Sequence, residues 1–306
     1  KAKHGMTSAA PPEAGHARLG VILVALGAIG FGLLPIFLEI LRDEQVNSGS
    51  SLIARYAGSA IPLGLWVLWK RPQWRGVMLA LVAGLGIGGG TIFLFEGYAR
   101  LPASMAILVF YTYPAFTLVF ARLLFGTPME RRMIAAIVMV VCAAGLILSP
   151  EGLDEGLYGF ILMTFGAPIG YALYLSCLGR IPHTVDPGLR TLLLSISACV
   201  VAVIYTYVAE GGMTWPVSPI GWGSLFYLAL VTGIGATMLV VVGTAMAGSS
   251  RAAVAGSSEL ITVLMVGWWI FGEEVRIVAV IGAALILAAI IVSLPRRRSG
   301  KKTGAG

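Results

Sequence analysis

Long apolar stretches, each close to the length of a membrane-crossing helix, follow one another along the chain. A helix needs about 20 mostly apolar residues to cross a bilayer. Short charged or proline- and glycine-rich links separate ten such stretches, at residues 19–41, 50–69, 76–97, 103–125, 131–149, 157–179, 189–209, 219–245, 252–271 and 276–294. The pattern predicts an all-α integral membrane protein with ten transmembrane helices.

The composition supports this class. Hydrophobic residues make up 58% of the 306 positions and charged residues only 11%, whereas a soluble domain carries roughly 25% charged residues. Such a small number of charged residues cannot cover a surface in contact with water. Most of the surface is therefore expected to contact lipid. The net charge of +7 does not indicate nucleic acid, because the basic residues lie in short loops and at the two ends.

The sequence offers no residues for a cofactor or a metal centre. The three histidines lie in the N-terminal tail and in one loop, and the three cysteines lie inside apolar runs without ligand spacing. The phosphate-binding pattern GxxxxGK[ST] does not occur. Any energy for work must come from the solute or from an ion gradient.

Basic residues are distributed unevenly between the two faces that ten spans define. With the N-terminus on the cytoplasmic side, sixteen lysines and arginines fall in cytoplasmic segments, and only Arg42, Arg100 and Arg276 fall on the opposite side. Short cytoplasmic loops carry an excess of Lys and Arg in membrane proteins. The distribution predicts that both termini are cytoplasmic.

The second half of the chain repeats the first. The 30 residues from Gly97 recur 146 positions later, from Gly243, with seven identities. Five spans per half is an odd number, so the second half enters the membrane from the opposite side. Inverted repeats of this kind are common in secondary transporters, which bind substrate between the halves near the midplane.

These divisions predict four segments of the chain and a protein that functions as a monomer. The parts are a disordered N-terminal tail over 1–17, a first five-helix repeat over 18–149, a second over 150–295 and a basic cytoplasmic tail over 296–306. Both sides of a pathway between the repeats come from one chain, so a functional monomer is expected.

The pattern of ten spans resembles the drug/metabolite transporter superfamily, in its EamA branch. Residues 113–126 and 259–273 resemble the runs that its fourth and ninth helices carry, and Arg55 resembles an arginine common in its second helix. Two positions depart from the pattern. Thr127 replaces an acid, and Leu260 replaces a proline, so the resemblance gives no basis for a kink in the ninth helix.

The resemblance implies a function as well as a fold. It implies a transporter in the bacterial cytoplasmic membrane, not an enzyme, that moves small neutral metabolites by alternating access through a central cavity. The aromatic amino-acid exporters of the YddG type are the most similar branch, which implies export of aromatic amino acids without ATP.

Glu259 is the strongest candidate for the substrate site. It lies inside the ninth span, where a carboxylate costs several kcal/mol unless it faces a polar cavity or takes a proton. It is predicted to bind a substrate ammonium group or to carry a coupling proton, with Ser258 beside it in the cavity. The alternative is a structural acid that caps a neighbouring broken helix.

Tyrosines beside two mid-span prolines are further cavity candidates. Pro114 removes one backbone hydrogen bond in the middle of the fourth span. Tyr111 and Tyr113 lie beside this interruption. Because Tyr111 and Tyr113 are 200° apart on a regular helix, at least one of them is expected to line the cavity. Tyr171 and Tyr174 share one face of the sixth span. The alternative for all four is ordinary packing.

A gate is a further hypothesis. Arg55, Glu39 and Glu96 lie toward the non-cytoplasmic ends of their spans, where an ion pair among them would close the pathway. The alternative for Arg55 is that its side chain extends to the membrane surface.

Other functions remain open. A transporter of another solute class, such as sugars, nucleotide sugars, lipids or hydrophobic drugs, would share this architecture. A membrane-embedded enzyme has little support, because the spans contain no histidine and only scattered acids. A passive channel would need a ring of like residues, which the unequal halves do not indicate.

Overall fold

All regular secondary structure in the described part of the computed structural model is helical. The structure describes residues 14–70, 77–147, 156–178, 180–181 and 185–293. The predicted tail over 296–306 and most of the tail over 1–17 lie outside these residues. The first helix begins at Ala14, inside the segment predicted as a tail.

Ten helical segments in the described chain correspond to the ten predicted spans. In the first half they are α1 (Ala14–Gly32 and Leu34–Asp43), α2 (Ser48–Lys70), α3 (Val77–Arg100), α4 (Ala103–Phe110 and Tyr113–Phe125) and α5 (Arg131–Ile147). In the second half they are α6 (Leu157–Thr164 and Gly166–Leu178), α7 (Pro187–Ala209), α8 (Pro219–Phe226, a π-helical Tyr227–Ala236 and Thr237–Ala247), α9 (Ser249–Gly256, Ser258–Met265 and a π-helical Val266–Ile270) and α10 (Ile277–Ser293).

Most of these segments have the length and composition of membrane-crossing helices. Eight are long and apolar enough to cross a bilayer, and Ile277–Ser293 is a shorter apolar helix, within the described residues. The surface agrees, because Leu68, Trp69 and Val208 are 73%, 79% and 81% exposed on the outside of the bundle. Lipid tails are the solvent in which such a surface is stable.

The helix packing repeats itself when the two halves are exchanged. α1 packs against α8 and α9, and the corresponding α6 packs against α3 and α4. α2 packs against α8 as α7 packs against α3, and the equivalent helices α2 and α7, and α5 and α10, form pairs. Two inverted five-helix repeats produce this arrangement, and the predicted fold class is confirmed.

Glycine contacts between two equivalent helix pairs, α1 with α8 and α6 with α3, bring the two halves close together. A Cβ on Gly243 of α8 would lie 2.6 Å from the carbonyl oxygen of Gly20 in α1. A Cβ on Gly170 of α6 would lie 2.6 Å from the carbonyl oxygen of Gly86 in α3. Small residues at helix contacts are the means by which membrane helices pack closely.

Four helices are interrupted, and they form two equivalent pairs. The breaks lie at Leu33 in α1, at Tyr111 and Thr112 in α4, at Phe165 in α6 and at Ser257 in α9. Both α1 and α6 begin their repeats, and α4 and α9 are the fourth helices of theirs. All four helices line the central cavity described below.

The break in α9 forms without a proline. The hydroxyl of Ser257 donates to the carbonyl oxygen of Ala253 at 3.2 Å, and that of Ser258 donates to Ala255 at 2.8 Å. Hydrogen bonds from serine side chains to the preceding turn bend helices. Leu260 in the usual proline position therefore does not keep α9 straight.

For the description of the site, the face that holds the start of α1 and the end of α10 is called the terminal face. The opposite side is called the far face.

Candidate functional site

A cavity extends from the terminal face into the middle of the bundle, between the two halves. Its volume is about 420 Å³, and Thr244, Ala252 and Ser293 line its outer part near the ends of α8, α9 and α10. A second cavity of about 190 Å³ continues toward the far face. Together they form a path through more than half of the bundle, which is called the central cavity below.

The two parts of the central cavity meet at a shared wall. Phe31, Tyr171, Val240 and Glu259 line both. α9 begins at Ser249, which places Glu259 about 15 Å along the helix and thus near the middle of a layer about 30 Å thick. An acid therefore stands at the midplane, between the repeats.

A tyrosine from the other half contacts this acid. The hydroxyl of Tyr111 lies 3.1 Å from Oε2 of Glu259 and 3.2 Å from the carbonyl oxygen of Gly256, and it donates to both. Tyr111 itself is 2% exposed. The hydrogen bond holds the carboxylate against α4, and Glu259 still lines both parts of the cavity.

An aromatic wall continues from this contact. The ring centroids of Tyr111 and Tyr113 are 5.8 Å apart, those of Tyr113 and Tyr171 are 4.8 Å apart, and those of Tyr171 and Tyr174 are 5.4 Å apart. Edge and tilted arrangements of this kind are the favourable geometry for aromatic rings. The wall joins α4 to α6 and begins at the tyrosine that contacts Glu259.

Both tyrosines of the fourth helix line the cavity, together with Pro114. The argument from a regular helix, which separates Tyr111 from Tyr113 by 200°, does not hold here. The helix ends at Phe110 and resumes at Tyr113. The break turns both rings to the same side.

The internal repeat relates the acid to this wall. The offset of 146 residues superimposes Tyr113 on Glu259 and Pro114 on Leu260. Equivalent positions on α4 and α9 therefore face the same cavity, one with a phenol and the other with a carboxylate.

Ser258 does not face the cavity, in contrast to the prediction. Its hydroxyl donates to the carbonyl oxygen of Ala25 in α1 at 3.2 Å as well as to Ala255. The preceding Ser257 lines the cavity. Of the two serines, Ser257 lines the cavity while Ser258 bonds to α1.

The two acids predicted as gate residues lie at the far face. Glu39 forms an ion pair with Arg42, and Glu96 forms an ion pair with Arg100. All four line a vestibule of about 350 Å³ that is open on this side. Their partners are thus the neighbouring arginines of their own helices.

Arg55 lies deeper than these pairs and belongs to the central cavity. Its guanidinium carbon lies 5.7 Å from the ring centroid of Phe31 and 5.7 Å from that of Tyr56. No ion pair within the described residues joins it to Glu39 or Glu96. The predicted ion pair of Arg55 with Glu39 or Glu96 is therefore not formed in this conformation. Arg55 lies inside the central cavity instead.

Three acids of the far face connect the two halves. Glu273 accepts from the N–H groups of Ala103 at 2.5 Å and Ser104 at 3.1 Å, at the start of α4. Glu210 accepts from the N–H of Gly49 at 3.0 Å, at the start of α2. A carboxylate at a helix N-terminus satisfies free N–H groups and complements the helix dipole.

The third of these acids, Glu44, follows α1 and caps α8. It accepts from the hydroxyl of Ser218 and from the N–H groups of Ser218 at 3.1 Å and Val217 at 2.9 Å. The hydroxyl bond first, and then the backbone bonds, hold the pKa of this carboxyl below its usual value. Burial, in contrast, raises the pKa of Glu210. The three caps join the two halves at the far face.

Sequence reasoning missed several residues of the central cavity. They are polar or aromatic side chains in otherwise apolar spans: Phe31, Thr91, Tyr98, Thr117, Thr237 and Thr244. A threonine in a span often bonds only its own helix, so the sequence does not tell a cavity threonine from a packed one. The three capping acids were missed because each acts on a distant helix.

Comparisons with known proteins agree with this architecture. The model of the EamA-like transporter family matches residues 18–149 and again residues 158–294. A solved structure, titled only as the crystal structure of a protein, covers 89% of this chain and 97% of its own, with a TM-score of 0.57 and 17% sequence identity. That likeness shows the fold alone. A search of curated proteins gave no match.

Proposed function

Because the chain belongs to the EamA-like transporter family, we propose that it exports aromatic amino acids across the bacterial cytoplasmic membrane by alternating access. The family makes the chain a multi-pass membrane transporter of small solutes. The proposal adds the solute, the direction and the membrane. It places the chain beside the aromatic amino-acid exporters of the YddG type.

One observation carries the choice of solute. Glu259 lies near the midplane and lines the same cavity as the rings of Tyr113 and Tyr171, between the two repeats. A carboxylate binds an ammonium group, and aromatic rings bind an aromatic side chain by edge and stacked contacts. An aromatic amino acid carries both groups on one small molecule.

The state of the two faces supports the direction. The central cavity reaches the terminal face, while Glu44, Glu210 and Glu273 join the two halves at the far face. With the predicted topology, the terminal face is cytoplasmic, because it carries most of the lysines and arginines. The described conformation is then the one that loads solute from the cytoplasm.

Glu259 also has the position that a coupling proton requires. It is the meeting point of the two parts of the cavity, and a proton and a substrate ammonium group would compete for the same oxygen. Exchange of one for the other would couple export to a proton gradient. One chain supplies the complete cavity, so the proposed unit is a monomer.

Transport by purified protein in liposomes tests the proposal. The initial uptake of labelled phenylalanine, tryptophan, leucine, glucose and a lipophilic cation is measured with and without a proton gradient. We expect the aromatic amino acids to move fastest, and Glu259→Gln to reduce their flux at least tenfold. Glu130→Gln is the matched control, because Glu130 is an exposed acid outside the cavity that pairs with Arg132.

Two results would contradict the proposal. Undetectable flux of every amino acid, with clear flux of the sugar or the lipophilic cation, assigns the chain to another solute class. Equal flux of aromatic amino acids in the wild type and in Glu259→Gln, under both gradient conditions, removes the role of the acid.

A further inference from the structure

The central cavity contains one positive and one negative side chain. Among the described residues that line its two parts, Arg55 is the one cation and Glu259 is the one anion. The other lining residues are aromatic, aliphatic, serine, threonine or glycine. Two opposite charges on an otherwise uncharged wall form a recognition pattern of their own.

The guanidinium of Arg55 has donors available for a ligand. Within the described chain its contacts are the faces of Phe31 and Tyr56, and no described carboxylate or carbonyl accepts a hydrogen bond from it. A guanidinium carries five N–H donors. A cation inside a membrane protein is costly without a partner and is typical of a functional position.

The surroundings hold this side chain in place. The hydroxyl of Thr91 donates to the carbonyl oxygen of Ile87 at 2.6 Å, so the hydroxyl of Tyr56, 2.7 Å away, donates to Thr91. Tyr56 is 6% exposed. A ring fixed by this chain of hydrogen bonds, with Phe31 as the second ring, orients the guanidinium by cation–π contact.

The two charges lie at similar depths from opposite sides. α2 begins at Ser48 on the far face, so Arg55 lies about 10 Å along it, while Glu259 lies about 15 Å along α9 from the terminal face. In a layer about 30 Å thick their depths differ by on the order of 5 Å. Both residues also line the same part of the central cavity, so a small molecule there can contact both.

We propose that Arg55 binds the carboxylate of a zwitterionic amino acid while Glu259 binds its ammonium group. The inference rests on the proposed transport of amino acids and adds the residue that recognises the acid end. A guanidinium suits this role because it binds a carboxylate through two parallel hydrogen bonds. Phe31 and Tyr171, which line both parts of the cavity, then face the side chain of the substrate.

This arrangement selects molecules that carry both charges. An amine without the carboxylate leaves Arg55 unpaired, and an acid without the ammonium group leaves Glu259 unpaired. A site that hydrogen-bonds a substrate group rejects the analogue that lacks the group, because its own buried polar atoms lose their partner. Phenylalanine is therefore preferred over both phenethylamine and 3-phenylpropionate.

Transport of these three compounds by variants tests the inference. In proteoliposomes, Arg55→Gln lowers the ratio of phenylalanine flux to phenethylamine flux at least about tenfold, and Arg55→Lys retains part of the preference because it keeps the charge. Arg122→Gln leaves the ratio unchanged. Arg122 is the matched control, as another arginine of a span whose guanidinium is exposed and donates to the carbonyl oxygen of Gly126.

The outcomes separate this inference from the proposed function. An equal loss of phenylalanine and phenethylamine flux in Arg55→Gln gives Arg55 a purely structural role and overturns the inference, while the proposed function stands. A wild type that transports no amino acid overturns the proposed function itself.

A second measurement needs no variant. Phenylalaninamide, which lacks the carboxylate, should compete at least about tenfold less well than unlabelled phenylalanine for wild-type transport. Equal competition by the amide overturns the role of Arg55 even if the variants do not fold.

Discussion

The hydroxyl of Tyr111 donates a hydrogen bond to the carboxylate of Glu259 across the boundary between the two repeats, at 3.1 Å. The two residues belong to the fourth helix of each repeat, and each lies beside the break of its helix. The contact thus joins the two halves at the point where the parts of the central cavity meet. Movement of one half against the other must break or redirect it.

Removal of this hydroxyl tests its importance. We expect Tyr111→Phe to lower the initial rate of phenylalanine transport about tenfold, because a hydrogen bond to a charged group contributes roughly 1.5–3 kcal/mol. Tyr207→Phe is the control, since Tyr207 is 59% exposed on the outside of the bundle. An unchanged rate and unchanged apparent affinity in Tyr111→Phe would show that the bond does not position the acid.

The glycine contact between α3 and α6 predicts a difference in stability between two identical substitutions. Gly170→Ala places a Cβ 2.6 Å from the carbonyl oxygen of Gly86, whereas Gly89→Ala places one with no atom within 4 Å. We expect Gly170→Ala to destabilise the protein by about 1–3 kcal/mol, as overpacking does. Gly89→Ala should be neutral or stabilising by up to about 1 kcal/mol, because alanine favours helix.

Thermal unfolding in detergent measures both variants. A midpoint for Gly170→Ala at or above that of Gly89→Ala would contradict the close packing of α3 and α6.

The cap that Glu44 forms on α8 predicts an acid-sensitive contribution to stability. Bonds from the hydroxyl and N–H of Ser218 and from the N–H of Val217 lower the pKa of the Glu44 carboxyl in the folded state. Because the pKa is lower in the folded state, the cap contributes fully to stability above the unfolded pKa of about 4.3. The contribution is lost as the pH falls through the folded pKa. Glu44→Gln should therefore lose stability relative to wild type above about pH 5, and the difference should shrink below about pH 4.

Unfolding temperatures of both proteins between about pH 3 and pH 7 give this difference. Glu274→Gln, a change of an exposed acid on the same face, is the control. A difference between wild type and Glu44→Gln that grows as the pH falls would have the wrong sign for this cap.

The predicted topology places the two faces on known sides of the membrane. In a variant without Cys142, Cys177 and Cys199, we introduce a single cysteine at exposed Arg251 on the terminal face or at exposed Glu274 on the far face. A membrane-impermeant thiol reagent added to intact cells should label Glu274→Cys and spare Arg251→Cys. The reverse pattern would invert the topology and, with it, the proposed direction of loading.

Several features of the site depend on contacts that no local pattern contains. The tyrosine–proline pattern of α4 and the acid of α9 were visible in the sequence as polar interruptions of apolar runs. Their meeting was not, because Tyr111 and Glu259 are 148 residues apart. The choice between Ser257 and Ser258 also needed the structure, since it depends on the break in α9 at Ser257 and on the contact of Ser258 with Ala25 in α1.

Arg55 shows the same limit from another side. Its position near the end of a predicted span suggested either a surface contact or an ion pair with Glu39 or Glu96. In the structure Glu39 pairs with Arg42, three residues later, and Glu96 pairs with Arg100, four residues later on the same helix. Such local pairs are favoured because residues three or four positions apart on a helix are close in any fold.

The sequence by itself determined the class, the number of helices and the division into two halves. These properties follow from the hydrophobicity of each residue, because a spanning helix needs an apolar stretch about as long as the bilayer is thick. Only the tertiary structure decided which polar residues share the central cavity, where α9 bends without a proline, and which acids join the two halves at the far face. These depend on distances between helices, and those distances are set by packing over the whole bundle.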